Sequence, residues 1–574
     1  MELAYMYGKD IDRDGIDVFR GINKKPRIAD NEFSDMENMC GEDYPCITTR
    51  HPRKKLRMIE KPNGMIANGK LAWVDGNSLW YNGEEVSMNG IELADTPKQM
   101  VNMGAWIVIF PDKIRFNTIT GECTPLENVR TGTASAVVSR IDGQPYVLAA
   151  TKEESPEDGT YYLDKTLNAL YVYSETNDGW QPVPTVYVKI QADGIGSGFA
   201  VNDGVTVSGL GSLDGTHVLR AVGDNFVVIT GIIPQSIENA SVTLSRTVPE
   251  LDYVCEQNNR LWGCKYGRQG NEIVNEIYAC ALGDPTNWNQ FDGTSMDSYV
   301  ASLGSSGAFT GMVSHLGYVM AFKEDVVHKI YGNYPANFQI ADTRARGIAN
   351  GSAKSAAIAQ ETLLYLSPTD AVAMGTGLPA GISDALIFME LHSGVGGIHK
   401  RKYYLGCKDE QGNSHLFVYD IDNNIWYRED GLDVLYATSC DGELYLIACV
   451  GGEYGLYCVG DEPAGYLTDN AVDEDLAEWS ITSGLVGLKY PEHKYVSQFM
   501  IRMEALEDAT IYCDVMYDND EEWRNVYEES VKAKDNARIS VRPRHCDTMR
   551  YKLYGTGRVR LYSIVKHTET AEEW

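Results

Sequence analysis

Leu71-Ala72-Trp73-Val74, Asp75-Gly76-Asn77, Leu79-Trp80-Tyr81 and Asn82-Gly83 are the residues whose reading decides the fold. Two short apolar runs flank a tight polar turn, and a second turn signal ends the unit, which spells a β-hairpin. The pattern returns in Trp106 to Phe110 with Ile114 to Phe116, and in Tyr318 to Phe322 with Val326 to Ile330. Further copies are Leu363 to Leu366 with Ala371 to Met374, Tyr403 to Cys407 with Leu416 to Tyr419, and Leu444 to Cys449 with Gly455 to Val459. Several units carry a tryptophan just after a polar turn, as at Trp180, Trp288 and Trp426. A small sheet cannot bury both faces alone, whereas sheets stacked around an axis bury each other and leave only short edges. From Trp262 onward the hairpins recur at a blade-sized interval. The fold class read from this is all-β: a β-propeller, with an inserted small β-domain and a C-terminal β-sandwich.

Working outward, the propeller takes residues 61–184 and 250–460. Residues 185–249 interrupt the rhythm with short, β-branched, glycine-punctuated runs such as Val205-Thr206-Val207 and Phe226-Val227-Val228-Ile229. They read as a small β-domain inserted between two blades. The stretch 461–479 holds seven acids and no Lys or Arg, the composition of a linker. Residues 480–574 alternate strongly, as in Ile511-Tyr512-Cys513 and Val559-Arg560-Leu561-Tyr562, and read as a β-sandwich. Helical periodicity is confined to short possibilities near Ala353–Thr362 and Asp473–Trp479. Residues 1–60 are apolar-poor and broken by Pro26, Pro45 and Pro52. They read as an extended assembly arm whose anchors, Phe19, Phe33, Met36 and Tyr44, need a partner surface.

The chain has 574 residues, with 50 Lys and Arg against 81 Asp and Glu, a formal net charge of −31. That excess argues against tight nucleic-acid binding, because each phosphate contact needs positive surface; it does not exclude a protein that lets nucleic acid pass without sticking. No run approaches the apolar length that would span a membrane, and Met1 to Asp10 lacks a secretion signal, so a chain made and first folded in a cytoplasm is expected. The 12 cysteines include no Cys-x-x-Cys pair and read as buried thiols. Asp10-x-Asp12-x-Asp14-Gly15 opens like a calcium loop, but Gly21 stands where the bidentate glutamate belongs. The glycine-rich fragments lack the strand–helix setting of a phosphate loop, and the ten histidines show no metal spacing. No catalytic residue, cofactor or metal site is therefore expected, and the chain reads as non-enzymatic. The serious rival is a propeller glycosidase, which needs paired carboxylates converging on a central pocket. Against the acidic total, Arg50, Arg53, Lys54, Lys55 and Arg57 cluster at the arm's end. In the C-terminal domain Arg538, Arg542 and Arg544, and likewise Arg558 and Arg560, share strand faces and are candidates for docking onto acidic surfaces of neighbouring subunits.

Several strings have a further likeness. Phe19-Arg20-Gly21-Ile22-Asn23, Asn31 to Met39 and Tyr44-Pro45 to Arg50 resemble the opening of bacteriophage tail proteins of the packaged-DNA stabilisation or tail nozzle type. So do Asn259-Arg260-Leu261-Trp262-Gly263, Ala281 to Trp288, Phe309-Thr310-Gly311, Phe322 to Asp325 and Tyr331 to Pro335, together with Arg542-Pro543-Arg544 and Tyr554 to Gly557. The resemblance implies a virion component: a propeller with inserted β-domains that assembles with identical subunits into a ring, usually a hexamer. Such a ring sits below the portal and adaptor, contacts other tail proteins, retains the packaged genome and conducts it at ejection. Two other readings stay open: a carbohydrate-binding or glycan-cleaving propeller at the tail tip, and a monomeric cellular scaffold.

Overall fold

The computed structural model describes residues 11–154, 156–270, 272–386, 389–469, 471–475, 478–488, 494–518, 520–541 and 546–570. The all-β expectation holds: the described elements are strands, apart from 3-10 turns. Where a helix is expected near Ala353–Thr362 there is one 3-10 turn, Ala353–Ser355, followed by the strands Ala357–Ala359 and Thr362–Leu366. β-Branched and aromatic neighbours override a brief helical period there. The stretch at 473–479 is likewise not a helix: Val472–Asp473 and Trp479–Ser483 are strands, and residues 476–477 lie outside the described ones.

Six four-stranded antiparallel sheets, each ordered as a simple meander, and one five-stranded sheet follow one another along the chain. They begin with Pro62–Asn68, Gln99–Met103, Tyr253–Glu256, Gly311–His315, Ala357–Ala359, His392–His399 and Asp433–Cys440. The hairpin at Leu71 to Tyr81 forms the second and third strands of the first sheet, Lys70–Asp75 and Ser78–Tyr81. Apolar clusters lie between consecutive sheets. Ala72, Val74 and Leu79 of the first meet Ile107, Ile109 and Phe116 of the second. Trp262, Cys264 and Ile277 of the third meet Val319 and Ala321 of the fourth, and Phe322 of the fourth meets Leu363 and Tyr365 of the fifth. The series comes back on itself, because Tyr445 and Ile447 of the seventh sheet share a cluster with Leu71 and Trp73 of the first.

The seventh sheet contains a strand from the other end of the chain. Lys54–Ile59 pairs antiparallel with Glu453–Cys458, matching Ile59 to Tyr454 and Lys54 to Cys458. The sheet whose neighbour is the first strand of the series is thus completed by the segment that immediately precedes that strand. The acidic stretch after residue 460 is not a free linker: Val472–Asp473 pairs with Lys54 and Lys55 on the other edge of the same strand.

The N-terminal segment is not an arm reaching for a neighbour, which corrects the sequence expectation. Phe33–Glu37 pairs with Trp479–Ser483, and Ile47–Thr49 and Ile11–Ile16 both pair with Val559–Thr570. Two C-terminal sheets, one of five strands and one of six, are therefore each completed from the N-terminus. Phe19, Phe33 and Met36 are fully buried in one core with Trp426, Trp479, Ile481 and Phe499, and the Phe19 and Phe33 rings stack with centroids 5.9 Å apart. Of the four proposed anchors only Tyr44 stays exposed, at 39%. Gly21 fixes the entry of the segment. Its φ is +71°, and an added Cβ would sit 2.3 Å from the Trp426 carbonyl oxygen, the same oxygen that accepts from the Ile22 amide at 2.8 Å. Sparse apolar residues suggested an arm, but those few are matched by complementary positions far along the chain.

The insertion is also larger than expected. Its closed barrel runs from Asn128–Ser139 to Ile237–Arg246, and it carries the three-stranded sheet Tyr161–Asp164, Ala169–Ser174 and Gly179–Pro182, so Trp180 belongs to the insertion. The barrel is clamped to the loop after the third sheet's central hairpin. The Asn287 side chain accepts from the Gly204 amide at 3.0 Å and donates to the Asn202 carbonyl at 2.9 Å. Arg220 bonds Asp292 with both terminal nitrogens, at 3.2 and 2.8 Å. An added Cβ on Gly204 would lie 2.1 Å from the Asn289 carbonyl oxygen, so only glycine permits this approach. The loop itself is held from inside by buried Arg260, which donates to the carbonyls of Cys280, Ser295 and Asp297 at 2.6–2.7 Å.

Two outcomes follow for the N-terminal segment. Removing residues 1–60 should leave the chain aggregated or without a cooperative unfolding transition, whereas a soluble, cooperatively melting product would show the segment to be dispensable. Phe33→Ala in the full chain should lower stability by about 3–5 kcal/mol in denaturant titration, against a near-neutral Arg538→Ala at an exposed strand position.

Candidate functional site

Two cavities bear on function. The first, of about 460 Å³, is lined by the leading strands of six of the seven sheets, through Met65, Met100, Val254, Met312, Gly396 and Tyr436 among others, and by the turn that precedes the fifth. Neither Asp nor Glu occurs among its lining residues, so the paired carboxylates a glycosidase would need do not converge there. Its basic members are lysines. Lys98 is buried in an ion pair with Asp112 at 2.6 Å, and burial brings Lys354 down to about 8, with its Nζ 3.6 Å from the centre of the Tyr436 ring.

The second cavity, of about 410 Å³, is where charged groups gather. Three turns from one end of the sixth and seventh sheets and the N-terminal segment enclose it. Lys400-Arg401 joins His392–His399 to Lys402–Lys408, with Lys400 at φ 53°. The second turn, Asp422 to Asn424, is tied by Asp420, which accepts from the amides of Asp422 and Asn423 at 3.0 and 3.1 Å. Gly460-Asp461 follows the strand Glu453–Cys458, and Cys40 to Arg53 supplies the remaining wall.

Behind this wall lies a buried ion network. Arg53, 1% exposed, donates from its backbone amide and Nε to Glu474 Oε2, both at 3.2 Å, and from Nη2 to Asp430. Arg50 donates to Asn38 at 2.8 Å, Glu474 at 2.9 Å and Asp430 at 3.2 Å. Glu429 is buried beside them, its Oε2 3.9 Å from Arg50 Nε. Burial opposes the charge on Arg53, but Asp430, Glu429 and Glu474 outweigh it and hold its pKa above the ordinary range. The carboxylates are pushed apart. Burial raises Glu429 despite Arg53 and Arg50; at Glu474 burial acts the same way, but Arg53 and Arg50 prevail and its pKa falls. His399 is lowered to about 4, first by burial and then by Lys400 and Lys402, so it is neutral at physiological pH.

The arginines read from sequence as subunit-docking residues are used within the chain. Arg560 bonds Asp43 at 2.7 Å and Glu504 at 3.3 Å, and Arg558 donates to His51 Nε2 at 2.9 Å. Both hold the N-terminal segment against the C-terminal sheets, which corrects the docking assignment for them. Arg538 is exposed and stands opposite Arg502, while Arg542 and Arg544 lie outside the described residues. The expected anchor Tyr44 lines the second cavity. Sequence reading missed His399, Tyr404 and Glu429, which also line it; the first two sit on neighbouring strands and Glu429 just after a third of the same sheet, and they form no motif.

No family model and no curated protein matches the chain. Solved structures similar to it include an exo-β-1,3-galactanase from Phanerochaete chrysosporium with galactose, 9% identical, covering 55% of this chain and 94% of that one at a TM-score of 0.21. A glycoside hydrolase family 43 arabinoxylan arabinofuranohydrolase from Bacillus subtilis is 9% identical, covering 56% and 95% at 0.17. PorZ, a surface component of the type-IX secretion system of Porphyromonas gingivalis, is 9% identical, covering 84% and 95% at 0.23. The non-enzymatic expectation is corrected by this comparison. Glycoside hydrolases stand among the similar structures. At these TM-scores the likeness assigns no activity to this chain.

Removing one member of the buried network leaves opposite charges uncompensated. Arg53→Ala should therefore cost about 3–5 kcal/mol, read in denaturant titration; a loss below about 1 kcal/mol would show the charges to be solvated. The pH dependence has a definite sign. Because the folded-state pKa of Glu474 is depressed, its contribution is present above the unfolded value and fades as pH falls through the folded one. In Glu474→Gln the decline of melting temperature below pH ~4 should be shallower than in the parent. An unchanged acid limb would remove Glu474 from the account.

Proposed function

We propose that this chain is a structural component of a bacteriophage tail: a seven-bladed β-propeller, closed by Lys54–Ile59, whose inserted barrel and C-terminal sandwich face neighbouring subunits. In this reading identical copies form a ring around the DNA path, below the portal and adaptor, that retains the packaged genome and conducts it at ejection.

One observation carries the reading. The strings that resemble tail nozzle proteins fall on the joints of the architecture rather than on an exposed patch. Phe19 to Asn23 and Phe33 to Met39 join the N-terminal segment to the sixth sheet and the sandwich. Arg260 and Asn287 hold the loop that seats the barrel, and buried Trp288 donates to the Pro285 carbonyl at 2.9 Å within it. Phe322 lies between the fourth and fifth sheets. Lys323 is buried and donates to Asn275 and the Ser305 carbonyl, both at 3.0 Å, tying the fourth sheet to the third. A likeness located in joints is a likeness of construction: where the same joints recur, so should the way the blades, barrel and sandwich are put together. The net charge of −31 fits a lumen that repels the DNA backbone over about 8–10 Å at moderate salt.

The reading is tested by the oligomer and by the virion. Negative-stain micrographs of the purified chain should show closed rings, and particles lacking the protein should package DNA and then lose it. A chain that stays monomeric at micromolar concentration, with virions that keep full genomes in its absence, would place the protein elsewhere.

A further inference from the structure

The second cavity has a chemistry that the tail reading does not use and that does not rest on that reading. Glu429 and His399 are 4% and 5% exposed and Tyr404 is buried, yet all three line the cavity. Each carboxylate or ring has a sealed side: Glu429 Oε2 and His399 Nδ1 are enclosed by protein, the latter 3.5 Å from Glu443. Glu429 Oε1, His399 Nε2 and the Tyr404 hydroxyl are not enclosed, and among the described residues they have no hydrogen-bond partner. Three polar atoms on otherwise buried side chains thus open onto one cavity. Buried polar groups are ordinarily satisfied, so these three define what the cavity accepts.

The lining selects among ligands. Five Lys and Arg side chains stand against five Asp and Glu, and His399 adds no charge, so there is no net field to attract an anion. A phosphate or carboxylate would bring acceptors up to the Glu429 carboxylate, which also accepts. A sugar hydroxyl donates and accepts, so adjacent hydroxyls can satisfy a carboxylate oxygen, an imidazole nitrogen and a phenol together. Tyr44, exposed at the cavity wall, adds aromatic surface for the apolar face of a pyranose ring, and a volume of about 410 Å³ accommodates a mono- or disaccharide. We propose that this cavity is a binding site for a neutral mono- or disaccharide, held by Glu429, His399 and Tyr404 between the N-terminal segment and the sixth and seventh sheets.

The test is calorimetric titration of the full chain with maltose, lactose and N,N′-diacetylchitobiose, each at millimolar concentration, with inorganic phosphate as the anionic probe. At least one neutral sugar should bind while phosphate does not. Tyr404→Phe removes one oxygen and keeps the ring, and it should weaken that sugar about tenfold, the equivalent of ~1.4 kcal/mol, without moving the melting temperature of the unliganded protein. His399→Ala should weaken it at least as much. Binding of phosphate alone, sugar affinity unaltered in both variants, or no heat from any of the three sugars would each overturn the proposal.

Discussion

Lys54–Ile59 is the strand on which the rest of the structure depends. A series of small stacked sheets has two loose ends, and each end would expose an apolar face and unpaired backbone edges. Here the loose ends meet. The strand leading into the first sheet is donated to the last, so backbone hydrogen bonding, rather than side-chain packing alone, joins the two ends. The same strand accepts Val472–Asp473 on its other edge, at Lys54 and Lys55.

Residues 11–53 are tethered by that strand, since Lys54–Ile59 is fixed in the seventh sheet. They lie across the sixth sheet and finish both C-terminal sheets. The Arg50 and Arg53 network stands at the crossing, where residues from the N-terminal segment, the sixth sheet and the acidic stretch meet. Its carboxylates come from two distant regions, Glu429-Asp430 and Glu474, so the network registers three segments against one another. Buried ion pairs add little net stability compared with apolar packing, but they are intolerant of misplacement, which suits a joint. The second cavity is a by-product of that crossing: its walls are the turns and the segment that the network holds apart.

What could be read in the sequence was what is local. Hairpins such as Leu363 to Leu366 with Ala371 to Met374 are legible because alternation and turn residues sit within a dozen positions of each other. The sandwich strands are legible for the same reason, as Ile511-Tyr512-Cys513 shows. Pairing between Lys54–Ile59 and Glu453–Cys458 leaves no such trace, since nothing in a six-residue basic-apolar run names a partner some four hundred residues away. Phe19, Phe33 and Met36 were visible as anchors, but whether an anchor seats in its own chain or in another is decided by the partner surface. The insertion was underestimated because its first strand, Asn128–Ser139, and the three-stranded sheet that holds Trp180 come before residue 185 and read as further hairpins of the repeating series. The site was least legible of all: Glu429, His399 and Tyr404 come together only when the strands of the sixth sheet pair and the N-terminal segment covers them, and of the visible arginines Arg50, Arg53, Arg558 and Arg560 serve the chain's own joints.

Hydrogen exchange on the intact chain tests the central claim most directly, because it reads the closing strand without altering it. Amides of Lys54–Ile59 should be protected as strongly as those of Glu453–Cys458 and should exchange together with them, and amides of Phe33–Glu37 should follow Trp479–Ser483. Rapid exchange throughout residues 11–59 in the isolated protein, with the sheets otherwise protected, would contradict it: the segment would then be a free arm, and the ring of sheets would be closed by packing alone.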